Sequence, residues 1–111
     1  MSTDETLDTH LQELRRGTVV LACLRLLTTP GYGYGLLEEL AKRGFATDAN
    51  TLYPLLRRLE KQGHLESEWN TEEARPRKFY RTSTAGRALA RSLTDDFRAI
   101  ATAIGALPQE D

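Results

Sequence analysis

Between Thr51 and Gly63 the chain reads TLYPLLRRLEKQG, with leucines at 52, 55, 56 and 59, and directly after Gly63 its apolar period changes. The i, i+3, i+4, i+7 stripe is that of a helix with one buried face. From His64 the period is two: Leu65, Ser67 and Trp69 alternate with Glu66 and Glu68, as in a half-exposed strand. A second run, Lys78-Phe79-Tyr80-Arg81-Thr82, is rich in aromatics and completes a hairpin. The tip between the two runs, Asn70 to Arg77, is charged, contains Pro76 and is longer than a tight two-residue turn. A hairpin of this kind behind short helices is a wing.

The flanking segments supply the other helices. Leu7, Leu11 and Leu14, then Leu21, Leu24 and Leu27, predict a first helix from about Asp8 to Thr28. Thr29-Pro30-Gly31-Tyr32-Gly33 is a cluster of breakers that ends it, and Tyr34 to Arg43, with Leu36, Leu37 and Leu40, restarts a shorter helix closed by Gly44. In the third helix, Pro54 removes the hydrogen bond to the carbonyl of Asn50, so the first turn there is irregular or only beginning. Ser83 offers an N-cap for a last long helix from Thr84 to about Leu107, stopped by Pro108.

That last helix has a narrow seam. Leu93, Phe97, Ile100, Ile104 and Leu107 follow heptad spacing, and Leu7, Leu11 and Leu14 show the same step. A small helix-and-wing body has no room for both stripes, so they are expected to meet across a two-fold axis and form a homodimer. The expected architecture is mainly α with a small β-hairpin: a winged helix-turn-helix with a long C-terminal dimerisation helix. Residues 1–7 are read as a flexible N-terminus, 8–83 as the winged helix-turn-helix domain with its first helix shared with the dimer interface, and 84–107 as the dimerisation helix.

A chain of 111 residues, 40% of them hydrophobic, builds one core and not two. No long uncharged apolar run is present, and no basic-then-apolar leader opens the chain, so neither a membrane nor secretion is expected and the compartment is read as cytoplasmic. The single cysteine, Cys23, lies in TVVLACLRLL and reads as a small buried hydrophobe. Trp69 and Phe97 read as core aromatics, with stacking on an effector as the alternative.

The formal net charge of −1 carries no overall basic signature, but the charge is unevenly placed. Asn50 to Gly63 holds Arg57, Arg58 and Lys61 against Glu60 alone, and Arg75 to Arg81 holds Arg75, Arg77, Lys78 and Arg81. Acidic residues gather at Asp4, Glu5 and Asp8, from Glu66 to Glu73, at Asp95 and Asp96, and at the C-terminus. On the third helix, Asn50, Tyr53, Arg57 and Lys61 share the face away from the leucines, flanked by Thr51 and Arg58. Such a helix fits the major groove, where Arg bonds guanine edges, Asn bonds adenine, and Lys and Arg neutralise phosphates. A solvated surface face is the plain alternative. The cationic hairpin tip weighs against it, because Arg75, Arg77 and Lys78 stand where they can straddle the backbone or enter the minor groove.

Catalytic parts are missing. His10 and His64 are isolated and read as surface residues, and no His/Cys/Asp cluster has metal spacing. Glu38-Glu39 and Glu72-Glu73 are adjacent pairs whose side chains diverge, and Tyr32-Gly33-Tyr34-Gly35 follows a helix and lacks the Lys and Ser/Thr of a nucleotide loop. The chain is read as no enzyme, with no cofactor.

TPGYGYGLLEEL, TLYPLLRRLEKQGHLES and RPRKFYRTSTAGR together resemble the signature stretches of PadR-like transcriptional regulators, across most of the chain. Tyr32 stands where that family often has His, Gly35 takes a usually larger position, and Ala74 replaces a frequent Gly; the short C-terminal region resembles the compact subfamily. The resemblance implies a homodimeric repressor on an inverted-repeat operator, in some members released by small aromatic compounds near the dimer interface. It assigns DNA contacts to Asn50, Thr51, Tyr53, Arg57, Arg58, Lys61, Arg75, Arg77 and Lys78. The rival from another class is a dimeric winged-helix module that binds a protein partner without reading DNA.

Overall fold

A computed structural model describes residues 3–72 and 74–109. Met1 and Ser2, Glu73 of the acidic stretch, and the C-terminal acids Glu110 and Asp111 lie outside the described residues. The element order is α1 (Thr3–Leu26), β1 (Gly31–Tyr32), α2 (Gly33–Lys42), α3 (Ala49–Lys61), β2 (Leu65–Asn70), β3 (Arg77–Thr82) and α4 (Thr84–Gly105). Mainly helical, with one small antiparallel sheet, this is a winged helix-turn-helix with long helices at both ends.

The helix limits follow from local chemistry. α1 starts at Thr3 and not near Asp8, so the stretch expected to be flexible is helical from Thr3 onward; Asp4 and Glu5 in its first turn complement the helix dipole. It ends at Leu26, two residues before the expected Thr28. α3 begins at Ala49 because the Asp48 carboxylate accepts from the Thr51 N–H at 2.8 Å. Pro54 therefore sits inside the helix, a turn later than expected, where it has no N–H to offer the Asn50 carbonyl. Gly63, at φ +83°, takes the left-handed turn that ends α3. Ser83 caps α4 by accepting from the Gly86 N–H at 3.0 Å, and α4 stops at Gly105, just short of the expected Leu107.

The sheet has three strands where two were expected, in the order β1-β3-β2. Gly31 pairs with Tyr80 and Tyr32 with Phe79, so a two-residue piece of the breaker cluster becomes a strand by borrowing the edge of β3. In the hairpin, Leu65 pairs with Thr82, Ser67 with Tyr80 and Trp69 with Lys78.

The core lies where α1, α2, α3 and the hairpin meet. Leu24 and Leu27 of α1, Leu36 and Leu40 of α2, the Leu52, Leu55, Leu56 and Leu59 stripe of α3, Leu65 of β2 and Tyr80 of β3 are all buried. Each buried leucine contributes about 1.5–3 kcal/mol relative to exposure. The sheet is pinned to α1 by polar contacts as well: the Thr82 N–H donates to the Leu27 carbonyl at 2.8 Å and its hydroxyl to the Leu24 carbonyl at 2.7 Å. Cys23 is fully buried, and burial pushes its thiol up to about 12, which keeps it protonated at neutral pH. Two expectations are corrected here. Trp69 is 64% exposed and Phe97 51%, so neither is a core aromatic of the single chain. His64 is half-buried, and its Nδ1 is a buried atom without a hydrogen-bond partner among the described residues, so it is no plain surface residue.

The outer ends of the long helices remain uncovered. Leu7 and Leu14 of α1, with Phe97, Ile100 and Ile104 of α4 and Leu107 beyond it, are exposed, while Leu11 and Leu93 are half-buried. The molecule is accordingly drawn out, with extents of 59 × 35 × 21 Å. No helix among the described residues is long and apolar enough to cross a membrane.

Candidate nucleic-acid interface

Burying the leucine stripe of α3 fixes what its other side shows. Asn50, Thr51, Arg57, Arg58 and Lys61 are exposed together on it. Tyr53 is half-buried, turned toward the start of α2: a Cβ on Gly33 would lie 2.5 Å from the Tyr53 ring, so glycine there leaves the ring room to lie against the start of α2. Tyr53 thus packs against the start of α2 and presents only part of its ring outward.

The wing cations divide between the two faces of the hairpin. Arg75 is exposed in the tip. Arg77 starts β3 on the outer face, with its guanidinium 4.0 Å from the centroid of the Tyr32 ring. Tyr32 is the hub of that face: its hydroxyl accepts from the Asn70 amide at 2.9 Å, and its ring meets Phe79 edge-on at 6.0 Å. Lys78 lies on the inner face, where its ammonium bonds the Glu60 carboxylate at 3.1 Å. The Ser67 hydroxyl donates to the same carboxylate. Glu60, the acid that interrupts the basic run of α3, thereby becomes the tether between α3 and the wing.

The Ser67 hydroxyl foremost, and then Lys78, hold the Glu60 carboxyl below the usual carboxylate range; the same contact raises Lys78. A lowered carboxyl keeps its stabilising contact above the ordinary carboxylate range and loses it only as the pH falls below that range. The tether is therefore intact at neutral pH. Tyr32, Asn70, Glu60 and Ser67 had no mark in the sequence that set them apart as interface residues, because the contacts among them depend on strand register.

Among the described residues no group of three or more His, Cys, Asp or Glu side chains is arranged to hold a metal ion. A separate apolar cleft of about 420 Å³ opens between α1, α4 and the segment after α2, lined by Leu21, Ala22, Leu26, Phe45 and Phe97, with Arg25 and Arg98 among its polar groups.

Residues 20–92 match the model of the transcriptional regulator PadR-like family. The chain is 38% identical over 91 residues to the transcriptional regulator Rv3488 of Mycobacterium tuberculosis, covering 81% of this chain and 82% of that protein. Among solved structures, a PadR family transcriptional regulator from Eggerthella lenta superposes with a TM-score of 0.92 at 42% identity, covering 97% of this chain and 96% of that one. A transcriptional regulator from Clostridium thermocellum superposes at 0.78 with 26% identity, over 87% of this chain and 99% of its own.

Proposed function

Because the chain belongs to the PadR-like family of transcriptional regulators, we propose that it is a non-enzymatic, homodimeric repressor that reads an inverted-repeat operator with α3 and grips the flanking backbone with the wing. The observation that carries this reading is the exposed face of Asn50, Thr51, Arg57, Arg58 and Lys61 directly opposite the buried leucines. Asn and Arg on such a face can bond base edges, while Lys61, Arg75 and Arg77 neutralise phosphates. In this reading residues 8–83 form the DNA-binding unit and 84–107 the dimerisation helix, and the protein works in the cytoplasm, where its operator is. The test is a mobility shift with DNA from upstream of its own gene across a salt series, against unrelated duplex. Tight binding that resists the competitor and falls with salt supports a sequence-specific regulator. Equal, weak binding to both duplexes means either that the operator lies elsewhere or that the fold serves a protein partner, which a pull-down then decides.

Lys78 belongs to this surface in a different way. Held by Glu60, it sets the wing's angle and adds charge near the backbone. Lys78→Ala should weaken binding to all sequences alike and lower the salt slope by about one or less, read from the same salt series.

The dimer rests on the uncovered seam. Ile100 is half exposed in the single chain, and in the proposed dimer it is buried. Ile100→Asp places an unpaired charge there, which should cost about 3–5 kcal/mol and convert the dimer to a monomer by light scattering. An unchanged mass for the variant would place the interface elsewhere. Release by a small aromatic effector is supported by the cleft between α1 and α4, which Phe97 lines, so an occupant there would touch the seam. Loss of the shifted band on adding planar aromatic acids tests it.

A further inference from the structure

We propose that Trp69 is a DNA-contacting residue: its indole lies against the sugar-phosphate backbone in the angle between α3 and the wing, with the ring N–H donating to a phosphate oxygen. The inference rests on the reading of α3 as the DNA-facing helix and extends it to an uncharged residue that neither charge nor motif marks.

The argument begins with register. Leu65, Ser67 and Trp69 share the inner face of β2, paired in turn with Thr82, Tyr80 and Lys78 of β3. α3 covers this face as far as Ser67, where the hydroxyl bonds Glu60. One rung further out the cover stops. Lys78 does not screen Trp69, because its ammonium leans back to Glu60 at 3.1 Å and stands 5.3 Å from the centroid of the Tyr80 ring. Leu65 is 2% exposed, whereas Trp69, two rungs along the same face, is 64% exposed. An indole is a costly side chain to leave in water on a hairpin, and contacts made by Trp commonly dominate an interface.

The surroundings say what covers it. Glu66 and Glu68 are on the opposite face of the strand, and Glu60 is already neutralised by Lys78. The exposed charges of α3, the helix packed against this face, are Arg57, Arg58 and Lys61, and Arg75 lies at the hairpin tip. A polyanion drawn onto those cations passes over the Trp69 rung, and the indole supplies one N–H donor and no acceptor to repel phosphate.

Trp69 is the single tryptophan of the chain, so its emission reports this residue alone. The experiment titrates the protein with a mixed-sequence duplex of about two helical turns at about 50 mM salt, where binding needs no particular operator. Binding is followed in parallel by the anisotropy of a dye on the DNA. The expected result is a change in Trp emission that saturates with the anisotropy. Trp69→Ala should weaken binding about tenfold, and Trp69→Phe, which keeps a ring but not the N–H, by less. Neither should alter the slope of affinity against salt, because no charge is lost; Lys61→Ala, by contrast, should lower it by about one. If the anisotropy reports binding while the emission stays still and Trp69→Ala binds like the parent, the inference is overturned and the α3 reading stands. A lowered salt slope in Trp69→Ala also overturns it, since the residue would then act by holding the cations in place. Absence of any anisotropy change at low salt would refute the DNA reading itself, and this inference with it.

Discussion

Replacing Arg57 and Arg58 together by glutamate should abolish DNA binding, by about a thousandfold or more at moderate salt, while leaving the fold and the proposed dimer intact. Both side chains are exposed, and the leucines that hold α3 in place point the other way. Two cations that would each release counterions become two anions facing phosphate, so the attraction is lost and a repulsion replaces it. Any bidentate recognition of guanine goes as well, at about 1–3 kcal/mol for each pair. The cost to the fold is small, since exposed charges away from caps and buried pairs shift stability by about 0.5 kcal/mol. A mobility shift, paired with light scattering and a melting curve, reads all three. Binding that survived with an unchanged salt slope would mean that α3 does not read the DNA.

Gly86→Ala is expected to destabilise the fold of the single chain strongly, because a methyl group there has nowhere to go. An alanine Cβ would lie 2.1 Å from the His64 carbonyl oxygen and 2.7 Å from the Thr82 Cγ2. The obstacle is mainly backbone, which no side-chain rotation relieves. The same carbonyl accepts from the Ser83 N–H at 3.1 Å, and the Ser83 hydroxyl donates to the Gly63 carbonyl at 2.6 Å. The first turn of α4 is thus bolted to the turn between α3 and β2. Forcing them apart should cost about 3 kcal/mol, at the upper end of overpacking effects, and lower the melting midpoint by roughly 10–20 °C. Gly35→Ala is the contrasting variant: it is helical with open space around its Cβ, and should gain about 0.5–1 kcal/mol. Equal midpoints for Gly86→Ala and the parent would show that α4 is not seated on His64.

The seat of Gly86 also bears on function. In a dimer held by α4 and the start of α1, the distance between the two copies of α3 depends on the angle at which α4 leaves the winged body. Ser83 and Gly86 set that angle by their contacts with Gly63 and His64, immediately beyond the end of α3. A variant that moved this joint and still folded would be expected to bind an isolated half-site better than a paired one.

Much of this molecule could be read from the order of its residues. The leucine periods of α2 and α3 and the change of period at Gly63 specified helix, helix and wing, since a helix buries every third or fourth residue and a strand every second. Asn50, Thr51, Arg57, Arg58 and Lys61 followed directly, because whatever opposes the leucines must face out. The resemblance in Thr51 to Gly63 and in Arg75 to Gly86 agreed with the family that residues 20–92 match.

Tertiary structure decided the rest, wherever a residue's role depends on a partner distant in the chain. Gly31 and Tyr32 became a strand only because β3 offered an edge, and Tyr32 received Asn70 from 38 positions away. Glu60 and Lys78 read separately as a blemish on a basic face and a phosphate ligand; 18 positions apart, they turned out to be one tether. Trp69 looked like core because alternation says which side of a strand a residue takes, but not how far the helix beneath it extends. Local periodicity determines the face, since it depends on backbone geometry alone; depth and pairing belong to the packed whole, since both depend on where another element ends.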